Sequence, residues 1–123
     1  CIGVTSSDSI TNHEYITTNF SDFSGELAKS YFILWRLTHK RKFREYAWKM
    51  AQAIHEHCHV EDSGICGITN VNQVPTPIFN LQQDYLIGST LKYLYLTFCD
   101  DAVLPLNRWV FTSGGHPFPI FYP

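Results

Sequence analysis

From Glu26 onward apolar residues recur at helical spacing. Leu27, Tyr31, Leu34 and Trp35 mark one stripe, and Ile33 and Leu37 widen it. This spacing predicts a helix from Glu26 to about Thr38-His39. A second helix is predicted from Arg41 to about His57, with Phe43, Ala47, Met50, Ala51 and Ile54 on its apolar face. A turn of about three residues between them favours an antiparallel helical hairpin. A third helix, Gln82 to Phe98, carries Leu86, Ile87, Leu91, Tyr93, Leu94, Tyr95 and Leu96 almost all the way round. Such a helix is expected to be buried on most sides. Two other helices cannot surround it, so partner helices are expected outside this chain.

The remaining segments read differently. Residues 1–23 are rich in Ser, Thr, Asn and Asp, and form an irregular N-terminal segment. Gly64 and Gly67 flank a candidate strand from Ile65 to Val71, and Val74-Pro75-Thr76-Pro77 reads as extended linker. Asp100-Asp101 ends the third helix, and a short strand is predicted over Arg108 to Phe111, before Gly114-Gly115-His116-Pro117. The fold class is therefore all-α helical hairpins, with short β segments near the C-terminus.

Composition narrows the function classes. The 123 residues are 45% hydrophobic and 16% charged, enough apolar material for a core and too little charge for a disordered tail. Nine Lys and Arg against eleven Asp and Glu leave a net charge of -2, which argues against broad nucleic-acid binding. No apolar run approaches the roughly 18 residues of a membrane segment. The first residue is Cys1 and the only Met is Met50, as expected of a chain that is part of something longer. Cys58 and Cys66 have the spacing to close a short loop in an oxidising compartment, whereas Cys99 reads as a buried small hydrophobe. Asn19-Phe20-Ser21 is the single glycosylation sequon. Lys40, Arg41, Lys42 and Arg44 oppose the dipole of the helix they open, so they read as a solvated face.

One generic motif has chemical content. His55-Glu56-His57-Cys58-His59 satisfies H-E-x-x-H, in which two helical histidines hold zinc and the Glu acts as base of a zinc hydrolase. The motif fixes only three positions, and a catalytic zinc needs a third protein ligand. No Glu follows Glu61, and the extended form of the motif would place Gly at Asp62 and His at Ile65. A polar helix end carrying surface histidines is the simpler reading.

Three further segments carry a resemblance. They are Trp35-Arg36-Leu37-Thr38-His39 with Phe43-Arg44, then Gln82-Gln83 leading to Thr90-Leu91-Lys92-Tyr93-Leu94-Tyr95-Leu96, then Trp109-Val110-Phe111 with His116-Pro117-Phe118-Pro119. In order and spacing they resemble the C-terminal part of class I α-mannosidases, glycoside hydrolase family 47, and within it the Golgi type. The resemblance makes residues 24–123 the C-terminal part of such a catalytic domain. It implies part of an (αα)7 barrel whose upstream helices lie outside this chain. It also implies a calcium ion at the barrel floor, a high-mannose N-glycan as substrate, trimming of α-1,2-linked mannose with inversion, and placement in the Golgi or endoplasmic reticulum.

The same resemblance places the site, residue by residue. The family's base lies in Arg-Pro-Glu, and the matching residues are Ser24, Gly25 and Glu26. A second family Glu three residues on is Lys29, on the same helical face and within pairing reach of Glu26. The Glu before Thr90 is Ser89, and the calcium motif Asn-Thr-Glu-Ala reads Thr112-Ser113-Gly114-Gly115. Tyr85 keeps an aromatic sugar platform where the family has Phe, and Ser113 keeps a hydroxyl and carbonyl at the calcium position. Inverting hydrolysis needs an acid as well as a base, and the family's acid lies in upstream sequence. Carboxylates are lost at 29, 89 and 114, so calcium binding and activity are both expected to fail. The alternative expectation is a glycan- or partner-binding pseudoenzyme that keeps the scaffold.

Overall fold

The computed structural model describes residues 25–121, apart from 63, 71, 76 and 80. Helix α1 (Glu26–Thr38) and helix α2 (Arg41–Cys58) are separated by His39 and Lys40 alone. His39 takes a left-handed φ of 50° and donates its N–H to the Trp35 carbonyl, which closes α1 and reverses the chain. The third helical stretch is composite: a π turn, Leu86–Leu91, runs directly into α3 (Lys92–Phe98). Its helical backbone begins at Asp84, two residues later than the periodicity predicts.

Three two-stranded antiparallel ribbons complete the described residues. They are β1 (His59–Val60) with β2 (Gly64–Ile65), β3 (Gly67–Ile68) with β4 (Ile78–Phe79), and β5 (Trp109–Phe111) with β6 (Pro117–Pro119). The predicted strand over Ile65–Val71 is broken at Cys66 into two short strands with different partners. The expected extended linker bends at Val74–Pro75, whose peptide is cis. The strand expected over Arg108–Phe111 is β5, and it pairs with β6, which the sequence did not predict, placing Phe111 opposite Pro117.

Contacts between side chains set the helix directions. Tyr31 meets Tyr46 and Trp35 meets Arg44, so α1 and α2 run antiparallel, as a helical hairpin should. Gly25 meets Ser89, Phe32 meets Tyr93, and Arg36 meets Leu96, so α1 and the third stretch run parallel. Ala28, Phe32 and Arg36 are the buried positions of α1. That face differs from the stripe expected from sequence, and Leu34 and Leu37 on the expected stripe are exposed. The face is chosen by fit: Ala28 admits a close neighbour, and Phe32 joins an aromatic cluster. Phe32 lies edge-on to Phe111 at 5.4 Å and 5.7 Å from Tyr93, while Tyr93 is 5.8 Å from Phe111. The α2 face is as expected, with Ala47 and Ile54 buried and Met50 and Ala51 packed beside them. On the third stretch Leu86, Tyr93, Leu94 and Leu96 are buried, but Ile87 and Tyr95 are 61% and 71% exposed, leaving an apolar outer face.

Arg36 is the one buried cation of α1. Its Nη1 donates to the Asp101 carbonyl at 3.0 Å, and Nη2 serves the carbonyls of Leu96, Asp100 and Val103 at 3.1, 3.2 and 3.1 Å. These carbonyls lie at and beyond the C-terminus of α3, where helical acceptors have no partner of their own. Nε stands 3.4 Å from Asp101 Oδ1, an ion-pair contact rather than an aligned hydrogen bond. Arg44 departs from the expected solvated face. Its guanidinium stacks 4.0 Å from the Trp35 ring centre and its Nε donates to the Thr97 carbonyl at 2.9 Å, so only Lys40, Arg41 and Lys42 are exposed.

Arg36→Met keeps the stem and leaves four carbonyls without their donor. It is expected to lower unfolding free energy by about 2–4 kcal/mol, with Arg36→Lys recovering less than half of that loss. Denaturant titration of both variants beside the parent measures it.

Candidate functional site

Three segments far apart in sequence meet at one spot: the start of α1 at Gly25-Glu26, the π turn at Gly88-Ser89-Thr90, and the β5–β6 tip, Thr112 to His116. Gly25 precedes α1 with a φ of 80°, and its carbonyl accepts the Lys29 N–H at 2.9 Å. Proline is locked near a φ of about −65° and cannot take that conformation, so this helix start is built differently from an Arg-Pro-Glu start. A Cβ on Gly25 would overlap Ser89 Oγ and lie 3.3 Å from the Thr90 nitrogen. Ser89 is fully buried, and its hydroxyl donates to the Ser113 carbonyl at 3.0 Å.

The tip is fastened from the same helical stretch. Lys92 Nζ donates to the Gly115 carbonyl at 3.0 Å, and the Tyr93 hydroxyl to the Thr112 carbonyl at 2.8 Å. Gly115 has a φ of 78°, and a Cβ there would overlap the Gly88 carbonyl. Inside the tip, Gly115 N–H donates to Thr112 O at 3.0 Å and His116 N–H to Thr112 Oγ1 at 3.1 Å. The π turn supplies Ser89, and the first two residues of α3, Lys92 and Tyr93, supply the other two donors.

The sequence-predicted site residues are thus partly brought together. Glu26, Ser89, Ser113 and Gly114 converge, with Lys29 one turn into α1. Ser24 lies outside the described residues. Glu26 is exposed at the positive end of α1, and the expected pairing with Lys29 does not form. Tyr85 opens the helical stretch one turn before Ser89, half-buried against the core, with its N–H bonded to Asp84 Oδ1 at 2.8 Å.

The donor set does not fit calcium. That ion takes six to eight oxygens and gains affinity from carboxylates, yet Glu26 is the one carboxylate among the family site positions described. The carbonyls of Ser113 and Gly115 already accept protons, one from an ammonium. Zinc finds no better place. His59 falls beyond the end of α2 in an extended conformation, with its ring 5.5 Å from that of His55. Among the described residues no group of three His, Cys, Asp or Glu gathers around a common point. Cys58 and Cys66 are both buried thiols joined through the backbone, Cys66 N–H to Cys58 O at 2.9 Å, whereas Cys99 is only half-buried.

Sequence reasoning missed Lys92 and Tyr93 as site residues, reading them as part of an apolar helix. The signal was present, since a Lys and a Tyr hydroxyl in a buried helix both require acceptors.

Comparison with known proteins gives the class first: these helices are a glycoside hydrolase scaffold. The chain belongs to glycosyl hydrolase family 47, whose sequence profile matches residues 8–120. It is 47% identical over 95 residues to mannosyl-oligosaccharide alpha-1,2-mannosidase IA of Drosophila melanogaster, covering 77% of this chain and 14% of that protein. It is 40% identical over 95 residues to the IA enzyme of Sus scrofa, again 77% of this chain and 14% of the relative. The IB enzyme of Homo sapiens is 38% identical over 97 residues, 79% of this chain and 15% of the relative. The chain therefore spans about a seventh of the length of these relatives.

Burial, with the Glu26 carboxylate nearby, pushes the Tyr93 phenol up from 10.0 to about 12, and burial pushes the Cys58 thiol up from 9.0 to about 11. Each folded group holds its proton at a pH where the unfolded chain has lost it, so stability falls as pH rises. The loss begins near pH 9 with Cys58 and continues through pH 10–12 with Tyr93. Tyr93→Phe is expected to be less stable at neutral pH by about 1 kcal/mol and to lose the upper part of that alkaline slope. Unfolding midpoints across the alkaline range check the sign.

Proposed function

We propose that residues 24–123 are the C-terminal part of a family 47 1,2-α-mannosidase-like domain whose glycan-trimming chemistry is silent in this chain. The single observation that supports it is the meeting of Gly25-Glu26, Ser89 and Ser113-Gly114 at one spot that carries a single carboxylate. An inverting glycosidase protonates the departing oxygen with one carboxylic acid and activates water with a second, the pair standing about 6.5–9.5 Å apart. Glu26 stands at the base position, exposed and able to accept a proton from water. An inverting site that lacks one of its acid–base groups loses about 10²–10⁴ in rate.

The substrate class of this proposal is the high-mannose N-glycan, met in the Golgi or endoplasmic reticulum. Partner helices of the same barrel would cover the apolar face at Ile87 and Tyr95. A second reading, glycan binding without cleavage, is supported by Tyr85, a half-buried ring one turn from Ser89.

The full chain incubated with a high-mannose N-glycan is expected to release no more mannose than its Glu26→Gln variant. Release well above that variant, abolished by a calcium chelator, overturns the proposal. Titration with the same glycan decides the second reading: binding lost in Tyr85→Ala supports it, and a flat titration removes it.

A further inference from the structure

Three side chains within five residues of one helical stretch reach the same turn. Ser89 takes the carbonyl of Ser113, Lys92 that of Gly115, and Tyr93 that of Thr112. We propose that this set of donors is a metal-free clamp. It holds the Thr112–Gly115 tip shut as a bound cation would, so the tip neither needs nor admits calcium.

Charge carries the first part of the argument. A carbonyl serves a cation by pointing its lone pairs inward, whereas these three carbonyls accept protons from the helix. One of the donors is an ammonium 3.0 Å from the Gly115 oxygen, a position that repels any approaching divalent ion. No carboxylate belongs to the tip itself, whose residues 112–116 are Thr, Ser, Gly, Gly and His.

Packing carries the second part. Ser89 Oγ occupies the space a Cβ at position 25 would need, so Gly25 and the small Ser89 side chain are matched to each other. The hydroxyl is fully buried between that glycine and the tip. Gly115 presses on the Gly88 carbonyl from the far side at a φ only glycine takes readily. Opening the tip to ion-sized dimensions would break these contacts and the three hydrogen bonds together. At Gly114 an added Cβ would lie 3.3 Å from the His116 ring, a tight contact, so the tip is closely packed at 114 as well.

The identity of the displaced ion rests on the family reading of this site; the clamp does not. Thermal unfolding of the full chain in about 10 mM calcium, above the Kd of even weak protein sites, is compared with unfolding in excess chelator. The midpoints are expected to agree within about 1 °C, whereas a site filled at about 100-fold over its Kd would raise the midpoint by roughly 10 °C. Ser89→Ala is expected to lower the midpoint by about 4–8 °C in both conditions. It should also speed hydrogen exchange at the Gly115 and His116 amides by about 5–10-fold, without rescue by calcium. Lys92→Met, read by the same exchange, decides the point if Ser89→Ala does not fold. A calcium-raised midpoint, or exchange unchanged in these variants, overturns the clamp. A chain that releases mannose yet melts independently of calcium would refute the silent site and leave the clamp standing; a calcium-stabilised chain that releases none would do the reverse.

Discussion

The buried guanidinium of Arg36 fixes where everything else falls. One side chain of α1 holds four carbonyls that lie at and beyond the end of α3, so the two helices cannot slide past one another without stripping all four. Helices are stiff on this length scale. Registering α1 against α3 at Arg36 therefore also registers their opposite ends. Going back along both chains, Phe32 lands on Tyr93 and Gly25 lands on Ser89. The chemistry-bearing end is aligned by an interaction at the other end, which itself touches no site residue.

That dependence explains which parts of the fold were readable. Helix α2 is amphipathic in the ordinary sense, and its face and start follow from periodicity alone. The ends of α1 also follow, because His39 and the basic run interrupt the pattern. The buried face of α1 does not. The helix is apolar on several sides, and the position that decides its orientation is Arg36, a charge that hydropathy assigns to solvent. A buried Arg becomes sensible only when its acceptors are known, and they lie some sixty residues downstream. The two ribbons between α2 and the third stretch were poorly legible for a related reason: two-residue strands carry too little alternation to register as a period.

The site was legible to a different degree. Its members were found by matching positions, and the fold does assemble Glu26, Ser89, Ser113 and Gly114 at one place. What no single position could reveal is that the replacements fit each other. A glycine at 25 leaves the space that the Ser89 hydroxyl fills, and that hydroxyl turns to the tip carbonyl at Ser113. Pairwise contact of this kind is invisible when positions are read one at a time. The π turn was equally hidden, since an inserted residue in a helical ladder leaves no mark on an apolar run.

Loss of catalytic groups alone would leave a hollow, with buried carbonyls facing nothing and an entropic reason for the tip to wander. Buried polar groups without partners are costly, by about 1–3 kcal/mol each, so such a site would drag down the stability of the surrounding helices. At this tip the carbonyls of Thr112, Ser113 and Gly115 each have a donor from the helical stretch, and the aromatic cluster of Phe32, Tyr93 and Phe111 lies beside them. The Tyr93 side chain belongs to both systems, its ring in the core and its hydroxyl on Thr112. Core and tip are therefore mechanically one unit. A Glu at position 89 would have to dismantle the hydrogen bond to Ser113 that now joins them, and would therefore cost stability.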